Sequence, residues 1–432
     1  MEKRVKEKWA MSIVGIGQKK GGFGMEKRVK GKWAMSIVGI GLILVLLTWG
    51  FPAWAKEVKL GVFGDVTGPI AFTGQQFWKG YSDYFKWVEK HDPIPGVTIN
   101  ILMEDTGYDA KRYLPVLKKF EAAGISAGYI MGTPGTATLN EELRRVKIPC
   151  MSEGSGFPPA IEPPGYIFLL RPLYPDVLTA GCIHFMDLWK KAGKKEKPKV
   201  MTITWDSAYG RAHIELGEPW AAKYGFEVLP PQLFAGQPTD LSTQLLRAKS
   251  LGADLVFSNI LEGQFAVLLK DAKRLGLQGK MQFSGGSECR GAEVVKLAGD
   301  AAEGAWSVNH FADWSETKNK GIQLGMQMQK EFRGGIDYQS QYLMGVIPAR
   351  MTGEAIRYAA KTFGPDNVNS ENIYKALTTM GKIDMLGLTA DANFSPTERR
   401  PFKYLNVSKC VSGVWVKENY GIEVPWLKPG PK

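Results

Sequence analysis

Apolar runs of strand length alternate with helix-length amphipathic stretches along most of this chain, and that alternation restricts its fold more than any other feature. Residues 58–63 read as a buried strand ending in a loop with Gly64, Gly68 and Gly74, where the backbone can turn and sit close to whatever fills the loop. Phe77, Tyr81, Tyr84, Phe85 and Val88 follow on a helical stripe that would pack back on the strand. Strands are predicted at 97–104 and 126–131 around a helix over 109–123, in which Pro115 either starts the regular part or kinks it. A helix at 136–146 and strands at 148–151 and 166–170 complete a first set. Such alternation favours a parallel sheet flanked by helices.

A helix at 174–191 opens a second set. Strands are predicted at 200–204, 227–234, 254–258 and 280–284, with helices at 208–224, 241–251 and 263–275. A strand at 305–309 leads to helices at 315–332, 343–363 and 370–379, and 402–420 reads as two strands joined at Ser412-Gly413. Two consecutive sets in a chain of 432 residues imply two lobes.

The net charge of +12 suggests an acidic partner until its location is considered. Ten of the 55 basic residues and three of the 43 acidic ones lie in 1–55, so the remainder carries only +5. With no basic stripe interleaved with aromatics, nucleic acid is not an expected partner. The segment 1–17 recurs at 25–41 with Glu7 replaced by Gly31, a duplication and not a fold repeat. In the second copy Lys27, Arg28, Lys30 and Lys32 precede an uncharged stretch at 34–51 and then Ala53-Trp54-Ala55. These are the three parts of a secretory signal peptide, with cleavage expected after Ala55 and a periplasmic product; a retained membrane anchor is the alternative. Cys150, Cys182, Cys289 and Cys410 are too few and too widely spaced for a disulfide scaffold or a zinc site, although one bridge is possible. His91, His184, His213 and His310 stand singly, without metal-ligand spacing. The nucleotide-binding, nucleophile-elbow and zinc-hydrolase motifs are missing, so neither an enzyme nor a cofactor is expected.

Thr133-Pro-Gly-Thr136 precedes a helix, where free N–H groups and the helix dipole attract a carboxylate; an ordinary N-cap would use Thr in the same way. Trp205 and Tyr209 could form an apolar wall with a polar handle, or simply be core.

The run Lys59-Leu-Gly-Val-Phe-Gly-Asp-Val-Thr-Gly-Pro-Ile-Ala-Phe-Thr-Gly74 resembles the periplasmic leucine/isoleucine/valine-binding protein family, the type I solute-binding proteins of ATP-driven importers. Gly132-Thr-Pro-Gly-Thr-Ala-Thr138, Ile148-Pro-Cys-Met-Ser152, Leu170-Arg-Pro172, Trp205-Asp-Ser-Ala-Tyr-Gly210 and Phe283-Ser-Gly-Gly286 match in order and spacing, over about 57–420. The resemblance implies an α/β fold of two Rossmann-like lobes with parallel-type sheets, joined by three chain crossings. One lobe would be 57–175 with 310–398, and the other 176–309 with 399–432. It further implies a monomer that holds an amino acid or related solute between the lobes and passes it to a membrane permease; a ligand-sensing receptor of the same fold is the other reading. By the same resemblance Thr133, Thr136, Ser152 and Ser155 would hold the solute carboxylate, with Gly156 standing where relatives often have Thr. Ser287, or Glu288 after a one-residue slip, would stand where relatives bind the ammonium, and Asn259 near where they place a Tyr.

Overall fold

The computed structural model describes residues 55–427, so the duplicated segment and the signal-peptide pattern lie outside the described residues. Two α/β layers are built on two sheets. The first is wholly parallel, in the order β2-β1-β3-β4-β5: β1 is Lys56–Gly64, β2 Val97–Asp105, β3 Ala127–Ile130, β4 Cys150–Ser152 and β5 Ile167–Leu169. The second holds β6 (Lys199–Trp205), β7 (Glu227–Phe234), β8 (Leu255–Ser258), β9 (Gln282–Gly285) and β10 (Trp306–Asn309), which are parallel. The hairpin β13 (Tyr404–Val411) and β14 (Val414–Glu423) adds to it antiparallel beside β10. A separate two-stranded ribbon pairs β11 (Lys382–Ile383) with β12 (Ala392–Asn393).

The continuous apolar character of β1 follows from burial on both faces. Val58, Leu60 and Val62 face one core, with the stripe Phe77, Tyr81, Tyr84, Phe85 and Val88 of helix α1 (Ala71–His91). Phe63 points to the opposite face, against Phe120 of helix α2 (Ala110–Ala123). Asp109 caps α2 by accepting from the Lys111 N–H at 3.0 Å, and the helix runs on through Pro115.

Helix α3 spans Thr133–Val146, three residues earlier than the sequence suggests, because Pro134 sits comfortably in a first turn. Thr133 and Thr136 are therefore helical residues, with Gly132 as the N-cap. Helix α4 (Tyr174–Lys191) matches its expected bounds, whereas the helix expected over 208–224 is two pieces, α5 (Ala208–Arg211) and α6 (Ile214–Tyr224). Then follow α7 (Ser242–Leu251), α8 (Glu262–Arg274), and α9 (Ala292–Ala298), which the pattern did not reveal. Helix α10 (Lys320–Arg333) starts five residues late because Asn319 caps it, its side chain accepting from Gly321 and Ile322 N–H. It is followed by α11 (Ser340–Phe363) and α12 (Ser370–Thr379). All four cysteines are buried and free, so the possible disulfide is not formed.

The chain changes layers three times. Leu173 packs with the first sheet and Tyr174 with the second; β10 belongs to the second sheet but Phe311 to the first core; Phe394 is in the first core and β13 in the second sheet. Helix α11 thereby returns to cover α1, and the two backbones touch. A Cβ on Gly80 would stand 2.0 Å from Tyr342 O, and one on Gly345 2.0 Å from Phe77 O. Gly80→Ala should lower unfolding free energy by about 1–3 kcal/mol, since the obstruction is backbone that cannot rotate away. Urea unfolding checks this, and an unchanged midpoint would show that the helices can part freely.

Candidate functional site

The carboxyl ends of parallel strands collect the ligand-contacting loops of an open α/β sheet. Here the two sheets turn those ends toward one another. After β4 stands Glu153, after β5 Arg171, and after β9 Glu288, all three less than 5% exposed. Arg171 Nη2 donates to Glu288 Oε1 at 2.8 Å and to Glu153 Oε2 at 3.1 Å. Its guanidinium lies 5.0 Å from the centre of the Tyr174 ring. Tyr209 OH donates to Glu288 Oε2 at 2.7 Å, and Tyr174 OH to Glu153 O at 2.9 Å. A second contact between the sheets' loops joins Thr73 of α1 to Glu262 of α8, the hydroxyl lying 3.1 Å from both carboxyl oxygens.

Burial pushes Glu153 up to about 8, Arg171 pulling the other way and Glu288 adding to the rise. Burial likewise pushes Glu262 up to about 8, against the pull of its backbone and Thr73 hydrogen bonds. At neutral pH both carboxyls hold a proton, which leaves the Arg171 guanidinium, always charged, to pair with Glu288.

These groups surround a water-sized cavity of about 30 Å³, lined by Thr133, Tyr108, Tyr174, Tyr209, Arg171 and Glu288 among others. A wider groove of about 550 Å³ lies elsewhere, among Trp314, Met326, Tyr338 and Trp415. It is mostly apolar, whereas converging charged and polar side chains mark the small cavity as the candidate site. Groups in the cavity and in the loop behind it have unused hydrogen-bonding capacity. Arg171 Nε and Nη1, Glu153 Oε1 and Ser155 Oγ are buried without a partner among the described residues, a state that native proteins rarely tolerate without reason.

Of the residues picked from sequence, Thr133, Tyr209 and Glu288 line the cavity. Thr136 and Ser152 stand behind it with their hydroxyls joined at 2.6 Å, and Ser152 Oγ also accepts from Gly154 N–H. Ser155 lies in the adjoining loop with its hydroxyl buried and unpartnered, and it does not line the cavity. Trp205 stacks on Tyr108. Asn259 is turned to structure, its side-chain amide donating to Tyr209 O at 2.6 Å. Between the alternatives Ser287 and Glu288, the carboxyl faces the cavity, while Ser287 Oγ lies 3.3 Å from His310 Nδ1.

Arg171, Glu153, Tyr108, Tyr174 and Glu262 were not picked from sequence as site residues. A usable signal existed for two of them: Arg171 directly follows the apolar run of β5, and Glu153 directly follows β4, where a solvated charge is out of place. Among the described residues no cluster of His, Cys, Asp and Glu has the form of a metal site.

A family model described as periplasmic binding protein matches residues 57–413. A leucine-, isoleucine-, valine-, threonine- and alanine-binding protein of Pseudomonas aeruginosa is 22% identical over 288 residues, 65% of this chain and 74% of that one. A Leu/Ile/Val-binding protein of Escherichia coli is 24% identical over 272 residues, 60% of this chain and 69% of that one. Among solved structures, a branched-chain amino acid ABC transporter protein from Thermus thermophilus with bound valine superposes with a TM-score of 0.78 at 25% identity, covering 86% of this chain and 97% of that one. A fatty acid ABC transporter substrate-binding protein from Thermomonospora curvata shares the fold, with a TM-score of 0.72 at 19% identity over 86% of this chain and 93% of that one.

Proposed function

We propose, from the premise that this chain belongs to the periplasmic binding protein family, that it is the exported solute receptor of an ABC importer. It is a binding protein and not an enzyme, as its named relatives are. In this reading 57–175 with 310–398 and 176–309 with 399–432 are the two lobes. They close on a small polar solute, an amino acid or a related carboxylate or amide, and the closed receptor delivers it to a membrane permease. Closure around a hinge at the chain crossings would enclose the solute.

The observation that carries the reading is the unused hydrogen-bonding capacity at facing strand ends. The free donors of Arg171, the Ser155 hydroxyl and the protonated Oε1 of Glu153 suit a carboxylate or carbonyl, and the Glu153 carboxyl can accept from an amine or amide N–H only once it gives up that proton. Each neutral bond is worth about 1 kcal/mol net and more when one partner is charged. Mass spectrometry of small molecules released on denaturation should identify the solute. Calorimetry with that solute should find Ser155→Ala weaker by roughly tenfold. Failure to recover or bind any small polar solute would sink the receptor reading.

A further inference from the structure

Tyr108 stands apart from the polar groups of the cleft, because its backbone is strained and its ring is well placed. It is one of five non-glycine residues with positive φ among the described residues, at φ 62°, directly after Gly107 at 61°. A bulky side chain in the left-handed region costs energy that Gly or Asn would largely avoid. The surroundings force the conformation. Tyr108 N–H donates to Asp65 Oδ1 at 2.8 Å, and Asp65 is fully buried, held by the hydroxyls of Thr106 and Tyr113. A Cβ on Gly132 would stand 2.3 Å from Asp65 Oδ2, so the carboxylate has no room to move away.

The ring thus held leaves the end of β2, in the first sheet, and reaches the apolar cluster of the second. It stacks on Trp205 with centroids 6.1 Å apart and planes at 23°, and its hydroxyl faces the Thr133 side chain. Tyr108 lines the cavity together with Thr133, Arg171 and Glu288, groups that would anchor a polar solute. Strain stored at a ligand clamp is a pointer to function when it is observed first and interpreted second. No hydrogen bond of the turn needs an aromatic side chain, since the bond to Asp65 is made by the backbone.

We propose that Tyr108 sets the size of the solute: its ring occupies the space into which a large solute side chain would project, so the receptor takes compact solutes with little beyond their polar head. The proposal rests on the receptor reading and goes further by naming the solute class. In an enclosed apolar contact one methylene changes selectivity about 10–200-fold, and a whole ring lies in the way here.

The test is calorimetry on the full mature chain with glycine, alanine, valine, leucine, phenylalanine, acetamide and whatever solute is recovered from the purified protein. Tyr108→Gly suits the backbone angle and Tyr108→Asn tolerates it, so both variants should fold and both lack the ring. The wild type should favour the compact members, and both variants should gain tenfold or more for leucine and phenylalanine relative to glycine. Recovery of a branched or aromatic solute from the wild type overturns the size limit, as does an unchanged ranking in both variants. A shift in the glycine variant alone would trace the effect to the backbone and also overturn it. If the wild type binds nothing in the panel and no solute is recovered, the receptor reading falls and takes this proposal with it.

Discussion

Replacing Arg290 by methionine is expected to destabilise the protein by about 3–5 kcal/mol, the cost of stranding a buried charge after its partner is removed. Arg290 is fully buried just beyond β9. Its Nη1 bonds Asp313 and donates to Ser408 Oγ at 3.0 Å, while Nη2 donates to the carbonyls of Phe311 at 3.3 Å and Ala312 at 3.1 Å. Asp313 also accepts from Ser408 Oγ at 2.7 Å and Tyr420 OH at 2.6 Å. The guanidinium therefore joins β9, the segment after β10 where the chain changes layers, and the β13–β14 hairpin. Methionine has a similar length but no donors, so Asp313 would keep two hydroxyls and lose its counter-charge. Urea unfolding measures the loss directly. The double variant Arg290→Met/Asp313→Leu should recover part of it, because an apolar replacement of both partners is often close to neutral. A single-variant loss under about 1 kcal/mol would mean that water reaches the site and solvates Asp313.

The second large effect is a fall in stability of the ligand-free protein between about pH 6.5 and pH 8. Glu153 and Glu262 are both pushed up to about 8 by burial, from an ordinary 4.5. Through this window the folded state keeps protons that the unfolded state has released. The unfolded state binds fewer protons, so stability falls as pH rises, by about 1.4 kcal/mol per pH unit for each group, and levels off above the folded value. Burial pushes His213 down to about 3 and lowers His184 and His310 as well, with effects of the opposite sign. Stability from burying a neutral histidine is gained as pH rises to its unfolded value of about 6.5, so below that pH the two contributions oppose each other. Above it the carboxyls set the slope, with Asp65 and Glu218, also raised by burial, acting in the same direction. Unfolding midpoints at intervals from pH 6.5 to pH 8 should show the slope, and Glu262→Gln should remove about half of it. A flat profile in the wild type would show that these carboxyls are already ionised when folded. Both groups lie where the loops of the two sheets meet, so opening the cleft to water would relieve the same burial, and higher pH should favour the open form.

Much of the fold was legible because local periodicity carries it. The stripe on α1, the helices Tyr174–Lys191 and Ser370–Thr379 and the strand Glu227–Phe234 follow from residues near each other in sequence, and the structure keeps those bounds. Boundaries drifted where a cap or proline decided them, as at Pro134 and Asn319. The absence of catalytic motifs, the alternation and the ordered run of family-like segments also belonged to the sequence.

The cleft is where sequence reading stopped. Side-chain orientation at Ser287 and Glu288 could not be read, because neighbouring residues in a turn point opposite ways and only the packed partners, His310 for one and Arg171 for the other, show which faces inward. Arg171 becomes a site residue through a carboxylate 117 positions away, and Glu262 through a threonine 189 positions away. The strained turn at Tyr108 depends on Asp65 from the loop after β1. Sequence by itself determined which stretches are strands and helices and that they form α/β layers, since hydrophobic period and turn chemistry act over a few residues. Only the tertiary structure decided which charges are buried together and which rings stack beside the cavity, because desolvation and pairing depend on groups that meet when distant segments pack.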